Sequence, residues 1–242
     1  MKPFAFYPIG DSGIKIQLSD DISLHTNKNI HQVCKVLEER KVDGIVEIVP
    51  SYHCFYVYYN PLKLKIIHIV DSVEHAFHQL GAQGEEQNEV VLVPTLYGGE
   101  YGIDLTRVAQ ENGVSESEVI QIHSSIDYFI YMMGFLPGFP YLGGVEEAIA
   151  TPRLTNPRTK VAAGSVGIAD RQTGIYPVDS PGGWNIVGRT PLPLFNADSA
   201  KPFLFHAGQY IRFTPISEDE FYFIQEQVNN DTYVVKVVKK YN

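Results

Sequence analysis

The sequence predicts an α+β protein in two parts, an N-terminal α/β sandwich domain over residues 1–93 and a β-barrel domain over residues 94–242. Three observations carry this prediction. Apolar residues recur at helical spacing twice among short strand-like runs in the first part. From Phe135 onward Gly and Pro interrupt the chain every few residues between β-prone runs, the pattern of a barrel. Hydrophobic residues make up 44% of the chain and charged residues 19%, enough apolar surface to offset the chain entropy of folding.

The elements follow in order. Residues 4–8 and 14–18 are strand-like runs around the turn signal Gly10-Asp11-Ser12-Gly13. Leu24, Ile30, Val33, Val36 and Leu37 fall near helical spacing, with Thr26 as N-cap and Gly44 just beyond the end. Residues 46–49 and 54–59 read as strands. Asn60-Pro61 supplies a cap followed by proline at the first helical position, predicting a second helix to about Leu80 that stops at Gly81. After the polar stretch 83–88, Val90-Val91-Leu92-Val93 is a buried-strand signal that completes a β-β-α-β-β-α-β order, with helices covering one face of a mostly antiparallel sheet. Asp104 caps a short helix ending at Gly113, and Ser115-Glu116-Ser117-Glu118 is a capping box for its helical partner. Barrel strands are expected at 166–169, 186–187, 203–205 and 210–214, followed by a strand at 221–224 and a β-prone run at 232–238.

Composition excludes several function classes. A formal charge of -9 with no cluster of Lys and Arg repels nucleic acid and anionic membranes. The N-terminal residues lack a long apolar stretch before a cleavage site, and no later run approaches membrane-spanning length, so a cytoplasmic location is expected. Cys34 and Cys54 form neither a C-x-x-C pair nor a disulfide framework and read as core thiols. Walker A, G-x-G-x-x-G and H-E-x-x-H patterns are missing, so no ATP, dinucleotide or metal site is placed by motif. Gly164-Ser165-Val166-Gly167 lacks the glycine two positions before the serine that a nucleophile elbow needs, and Ser165 reads as structural.

The informative stretch runs from His123 to Phe195, where cations sit among glycine-rich turns that let a ligand approach the backbone. Arg153, Arg158, Lys160, Arg171 and Arg189 are the available positive groups. Arg171, in a polar turn, reads as a surface charge, whereas Arg158 and Arg189 lie beside turn-forming Pro or Gly segments. His123, near the end of the capped helix, is either a proton-transfer or phosphate-contact group or a satisfied packing residue. Trp184, after Pro181-Gly182-Gly183, is either a pocket wall or a core anchor.

Four ordered segments carry a resemblance: Gly134-Phe135-Leu136-Pro137-Gly138-Phe139-Pro140-Tyr141-Leu142, Ala163-Gly164-Ser165-Val166-Gly167-Ile168, Gln172-Thr173-Gly174-Ile175-Tyr176-Pro177 and Ser180-Pro181-Gly182-Gly183-Trp184. Together they resemble successive motifs of the family of B-type subunits of 5-oxoprolinase, which is also described as the KipI or allophanate hydrolase subunit 1 family. The similarity extends to Tyr97-Gly98-Gly99, Asp104-Leu105, His123, Gly188-Arg189-Thr190-Pro191 and Leu194-Phe195. The sequence departs at Ala162, where the family often has proline, and at Gly208-Gln209, where it often has Gly-Asp.

The resemblance implies a cyclophilin-like β-barrel after the first domain. It also implies one subunit of an ATP-dependent 5-oxoprolinase complex that opens 5-oxoproline to glutamate, working with two further subunits of types A and C. ATP, with Mg2+, is expected within the complex instead of on a motif of this chain. Other members inhibit a sporulation histidine kinase, and the domain recurs beside urea-processing enzymes. Side-chain chemistry at the motif positions then nominates His123, Arg158, Gln172, Tyr176 and Arg189 as catalytic. Ser180, Gly182, Gly183 and Trp184 are the expected substrate contacts.

Overall fold

The structure is a computed structural model describing residues 4–80 and 89–240. The chain divides into two compact units, Met1–Glu86 and Gln87–Asn242. The first holds strands β1 (Ala5–Ile9), β2 (Gly13–Gln17), β3 (Ile45–Pro50) and β4 (Cys54–Tyr59), with helices α1 (Leu24–Arg40) and α2 (Ile66–His78). The strands form an antiparallel sheet in the order β1-β2-β4-β3. Ile14 faces Val57 and Ile16 faces Phe55 across β2 and β4. Because strand side chains alternate, these four share one side, where they are buried against Ile30, Val33 and Leu37 of α1 and Ile69, Val70 and Val73 of α2.

Two helix starts differ from the sequence expectation. Ser23, not Thr26, caps α1, its side chain accepting the Thr26 N–H at 3.1 Å. Asn60-Pro61 builds a turn instead of opening α2. The Asn60 side chain accepts the Leu62 N–H, and its carbonyl accepts the Lys63 and Leu64 N–H groups. Asn satisfies a tight turn as readily as a helix end. Gly44, with φ +99°, lies under that turn, where an added Cβ would come within 2.9 Å of Leu64. Gly81, expected to stop the second helix, lies outside the described residues.

The second unit contains β5 (Glu89–Tyr97), α3 (Leu105–Asn112), α4 (Glu116–Ser124), β6 (Tyr128–Met133), β7 (Pro140–Gly143), β8 (Arg158–Val161), β9 (Ser165–Ala169), β10 (Gln172–Ile175), β11 (Ser180–Gly182), β12 (Asn185–Arg189), β13 (Tyr210–Pro215), α5 (Glu218–Asn229) and β14 (Val237–Lys239). Strands run β12-β9-β10-β7-β6-β13-β5, and Leu96 and Tyr97 of β5 pair back onto Arg189 and Gly188 of β12. The result is a closed seven-stranded barrel, as the resemblance implied. β14 adds to the start of β5, and β8 with β11 forms a separate ribbon.

Three expectations are corrected here. The Val90–Val93 run belongs to this unit, inside β5, where Val91 and Val93 enter the barrel core. A continuous apolar run carries no periodicity that names its sheet. Residues 221–224, expected as strand, lie in α5, which opens with a capping box between Ser217 and Glu220. Residues 203–205 contribute only an isolated bridge from Phe203 to Phe195. The capping box at Ser115 and Glu118 and the Gly113 stop, at φ +65°, form where expected.

Closure demands small residues along the β5–β12 seam. A Cβ on Gly188 would approach the Leu96 carbonyl to 2.8 Å, and one on Gly102 would run into the Val187 carbonyl and the Gly98 amide. Both obstacles at Gly102 are backbone, so no side chain can swing aside. Gly102→Ala is expected to cost about 3 kcal/mol, read as a lowered urea midpoint with an unchanged m-value.

Candidate functional site

β9, β10 and β12 form a wall whose residues alternate between the barrel interior and its outer side. Val166, Ile168, Ile175 and Val187 point inward to the main core. Ala169 and Ile186 point outward to a second cluster with Phe139, Val161, Tyr176 and Trp184. Gly167 and Gly174 occupy outward positions, and a Cβ at either would come within 3.0 Å of Trp184. The missing side chains let the indole lie against the wall. Phe139 stands edge-on to both Trp184 and Tyr176, at centroid distances of 5.5 and 5.2 Å, and Tyr141 completes the group 6.1 Å from Trp184. Trp184 is therefore an anchor of this outer cluster, 6% exposed.

The β8–β11 ribbon lies against that cluster. A Cβ on Gly182 would strike the Tyr176 hydroxyl, so this side of the ribbon faces Tyr176. Arg158 is paired opposite Gly182 and Ser180 opposite Val161, with a register shift between the two pairs; Val161 packs in the cluster with Tyr176, and a directly opposed residue projects to the same side. Arg158 Nη2 donates to Asp104 Oδ1 at 2.6 Å, while Asp104 Oδ2 accepts the Ile186 N–H at 2.7 Å. Arg158 Nη1 and Ser180 Oγ are shielded and have no hydrogen-bond partner. Burial pushes the Tyr176 hydroxyl above its ordinary pKa, partly offset by the Trp184 N–H and by the Arg153 and Arg158 guanidiniums. Tyr141 is raised by burial in the same way and drawn back by Arg153.

Arg158, Tyr176, Ser180, Gly182, Gly183 and Trp184 thus come together. Gln172 faces the same outer side, two residues before Gly174, but begins β10 about 13 Å along the strand from Tyr176. Arg189 sits opposite Ser165 at the end of β12, with Nε donating to the Ala163 carbonyl at 2.8 Å. His123 does not join them. It is fully buried among the interior residues, stacked 4.5 Å from Phe213, on the other side of the wall. The Thr173 hydroxyl donates to the Gly167 carbonyl, so His123 Nε2–H donates to Thr173 Oγ1 at 2.9 Å. Nδ1 is left to accept from the Tyr97 hydroxyl at 2.7 Å. Burial lowers the imidazole pKa to about 3, and the ring is neutral at ordinary pH.

Residues that sequence reasoning left outside the site are Asp104, Tyr141 and Arg153. Asp104 read as a helix cap, yet its side chain makes no cap hydrogen bond and serves Arg158 and Ile186 instead. Tyr141 lay within a motif without a role, and Arg153 was one cation among five. Only pairing across the barrel reveals their neighbours.

The fold is a closed barrel with a separate two-stranded ribbon, and the family model for carboxyltransferase domain, subdomain C and D, matches residues 4–205. The chain belongs to this family, which is that of the B-type subunit of 5-oxoprolinase, KipI and allophanate hydrolase subunit 1. It is 37% identical to the 5-oxoprolinase B-type subunit of Bacillus subtilis over 232 residues, covering 91% of this chain and 96% of that protein. Among solved structures, TTHA0988 is similar at 32% identity with a TM-score of 0.75, over 85% of this chain and 40% of that one. Kluyveromyces lactis urea amidolyase shares the fold at 19% identity, with a TM-score of 0.77, over 99% of this chain and 16% of that one.

Two outcomes follow from the buried polar groups. Asp104→Ala removes the carboxylate serving both Arg158 and the Ile186 N–H, and is expected to lower stability by about 3 kcal/mol in urea unfolding. His123 has a folded pKa far below its unfolded value of about 6.5, so its contribution is present above that pH and lost as pH falls toward 3. The unfolded chain takes up one more proton there, a slope of about 1.4 kcal/mol per pH unit between roughly 5.5 and 4. His123→Asn is expected to flatten the stability profile by that amount relative to the parent.

Proposed function

We propose that this chain is one subunit of a cytoplasmic, ATP-dependent 5-oxoprolinase complex that opens 5-oxoproline to L-glutamate together with A-type and C-type subunits, and that it is inactive alone. The observation that carries the reading is the similarity to the B-type subunit of 5-oxoprolinase, which extends along almost the whole of both chains. The outer wall supports it chemically, since guanidinium, phenol and hydroxyl groups converge there on an aromatic floor.

An unstrained lactam resists water because its amide is resonance-stabilised and its nitrogen is a poor leaving group. Transfer of the ATP γ-phosphoryl group to the lactam oxygen makes the ring carbon open to attack. Water then adds, the ring C–N bond breaks and phosphate departs, with ATP consumed to ADP. The protein's part is to hold carboxylate, phosphoryl group and water in line. In this reading Arg158 and Arg189 serve the anionic groups, Gln172 and Tyr176 the lactam or phosphate oxygens, and the turn from Ser180 through Gly182 and Gly183 to Trp184 the backbone contacts. ATP, with Mg2+, is bound within the complex and not by a motif of this chain. His123, neutral and enclosed, serves by positioning Thr173 within the wall instead of by exchanging protons with the substrate.

A second reading, a carboxyl-transfer or allophanate-related protein, is favoured by the family description and by the fold shared with urea amidolyase. ATP-dependent conversion of 5-oxoproline to glutamate separates the two. Turnover is expected only when this chain is added to its A-type and C-type partners. Arg189→Ala or Gln172→Ala in the assembled complex is expected to lower kcat/KM at least about tenfold, the equivalent of a 1.4 kcal/mol contact. A folded, assembled and inactive complex overturns the 5-oxoproline assignment in favour of the second reading or of a kinase inhibitor that acts alone.

A further inference from the structure

The cations around the outer wall are not equivalent. Arg158 is paired with Asp104, Lys160 with Asp179 at 2.8 Å, and Arg189 is bonded to the Ala163 carbonyl with Asp179 nearby. Arg153 is exposed and has no ion-pair or hydrogen-bond partner among the described residues. Its backbone is nonetheless held on both sides. Fully buried Asn185 donates from Nδ2 to the Pro152 carbonyl at 3.0 Å, and the Leu154 N–H donates to the Gly183 carbonyl at 2.8 Å. Both anchors flank Trp184 in sequence, so the segment carrying Arg153 is fastened to the turn that seats the indole.

A second observation lies on the same ground. The Ser180 hydroxyl, on a residue only 7% exposed, has no partner, and it projects from the ribbon side that faces Tyr176. A buried hydroxyl without a partner is an incomplete hydrogen-bonding group that a ligand oxygen can complete. The guanidinium of Arg153, although exposed, also lowers the pKa of the hydroxyls of both Tyr141 and Tyr176.

We infer that Arg153, Tyr176 and Ser180 form a subsite for a small monocarboxylate against the aromatic group of Phe139, Tyr141 and Trp184, with Arg153 pairing with the carboxylate and the two hydroxyls completing its oxygens. Arg158 is offset by Asp104, and Lys160 and Arg189 share the carboxylate of Asp179, which leaves Arg153 as the guanidinium acting on this cluster without a carboxylate beside it. A nucleotide triphosphate would need several cations. A guanidinium fork fits a planar carboxylate, and the rings give an apolar wall for the rest of a small cyclic acid. The inference rests on the proposed function for the ligand's identity, taken as 5-oxoproline, and adds Arg153 as the residue that recognises its carboxylate.

Trp184 is the only tryptophan in the chain, so its fluorescence reports on the site directly. The full-length chain is titrated with 5-oxoproline, with 2-pyrrolidinone, which keeps the ring and lacks the carboxylate, and with ATP. A saturable change is expected with 5-oxoproline alone. Arg153→Ala is expected to weaken it at least tenfold with an unchanged thermal midpoint, because the side chain has no protein partner to lose, and Arg153→Lys to recover part of the affinity. No saturable change up to about 10 mM, an equal response to 2-pyrrolidinone, tighter binding of ATP, or an undiminished response in Arg153→Ala each overturns the subsite. If the complete complex turns over 5-oxoproline and its KM ignores Arg153→Ala, the subsite falls and the functional assignment stands. If the fluorescence saturates through Arg153 but the complete complex does not turn 5-oxoproline over, the assignment falls and the carboxylate subsite stands.

Discussion

The carboxylate of Asp104 sits where the barrel closes, and the arrangement of the outer wall depends on it. β5 pairs with β12 only through Leu96 and Tyr97 before the chain turns away into α3. The Gly98 N–H then continues the ladder onto the Val187 carbonyl, and Asp104 completes it by donating its own N–H to the Ile186 carbonyl and accepting the Ile186 N–H on its side chain. A buried strand N–H that loses its partner is costly, so a side chain replaces the missing strand. The other carboxylate oxygen holds Arg158 at 2.6 Å, which fixes the ribbon of β8 and β11 in relation to the seam. One acidic residue thereby closes the barrel and aims the candidate site.

The wall built on that seam has two chemically different sides. Inside, the polar chain from Tyr97 through His123 and Thr173 to the Gly167 carbonyl is satisfied end to end, and the surrounding residues are apolar. Such a chain orients groups and has no route to exchange protons with a ligand on the opposite side. Outside, Gly167 and Gly174 create the space in which Trp184 lies, and Tyr176 presses against Gly182. Polar atoms there are left incomplete at Ser180 and Arg158. Incomplete hydrogen bonding is not confined to the outer side, since the buried Tyr128 hydroxyl beside His123 also has no partner; what distinguishes the outer side is the arginine and hydroxyl groups brought together against the rings.

The loop before β7 adds a strained element beside this surface. Phe135 has φ +65°, and the Leu136 N–H donates to the Gly134 carbonyl across it, a γ-turn of the positive-φ kind. Its ring is 63% exposed while standing edge-on to buried Phe139. A bulky residue in this backbone region costs about 1–3 kcal/mol. The strain lies at the rim of the outer cluster and outside both cores.

Capping chemistry, turn residues and periodicity are local, and the sequence alone determined what depends on them: the two helices of the first unit, the capping box at Ser115, the stop at Gly113 and the barrel character after Phe135. It missed the equally local box at Ser217 and Glu220, because the aromatic run 221–224 looked β-prone by composition. The motifs that carry the resemblance hold Tyr176, Ser180, Gly182, Gly183 and Trp184, side-chain chemistry added Arg158, and these come together. What tertiary structure decided was allegiance and side. Val90 to Val93 is uniformly apolar and fits any buried strand, and only the pairing of β5 with β13 and β12 assigns it to the barrel. His123 and Gln172 are both plausible site residues by chemistry, yet barrel closure encloses the first and leaves the second on the outer side. A one-residue step along a strand reverses which side a group faces, and no local propensity records which side will become the interior.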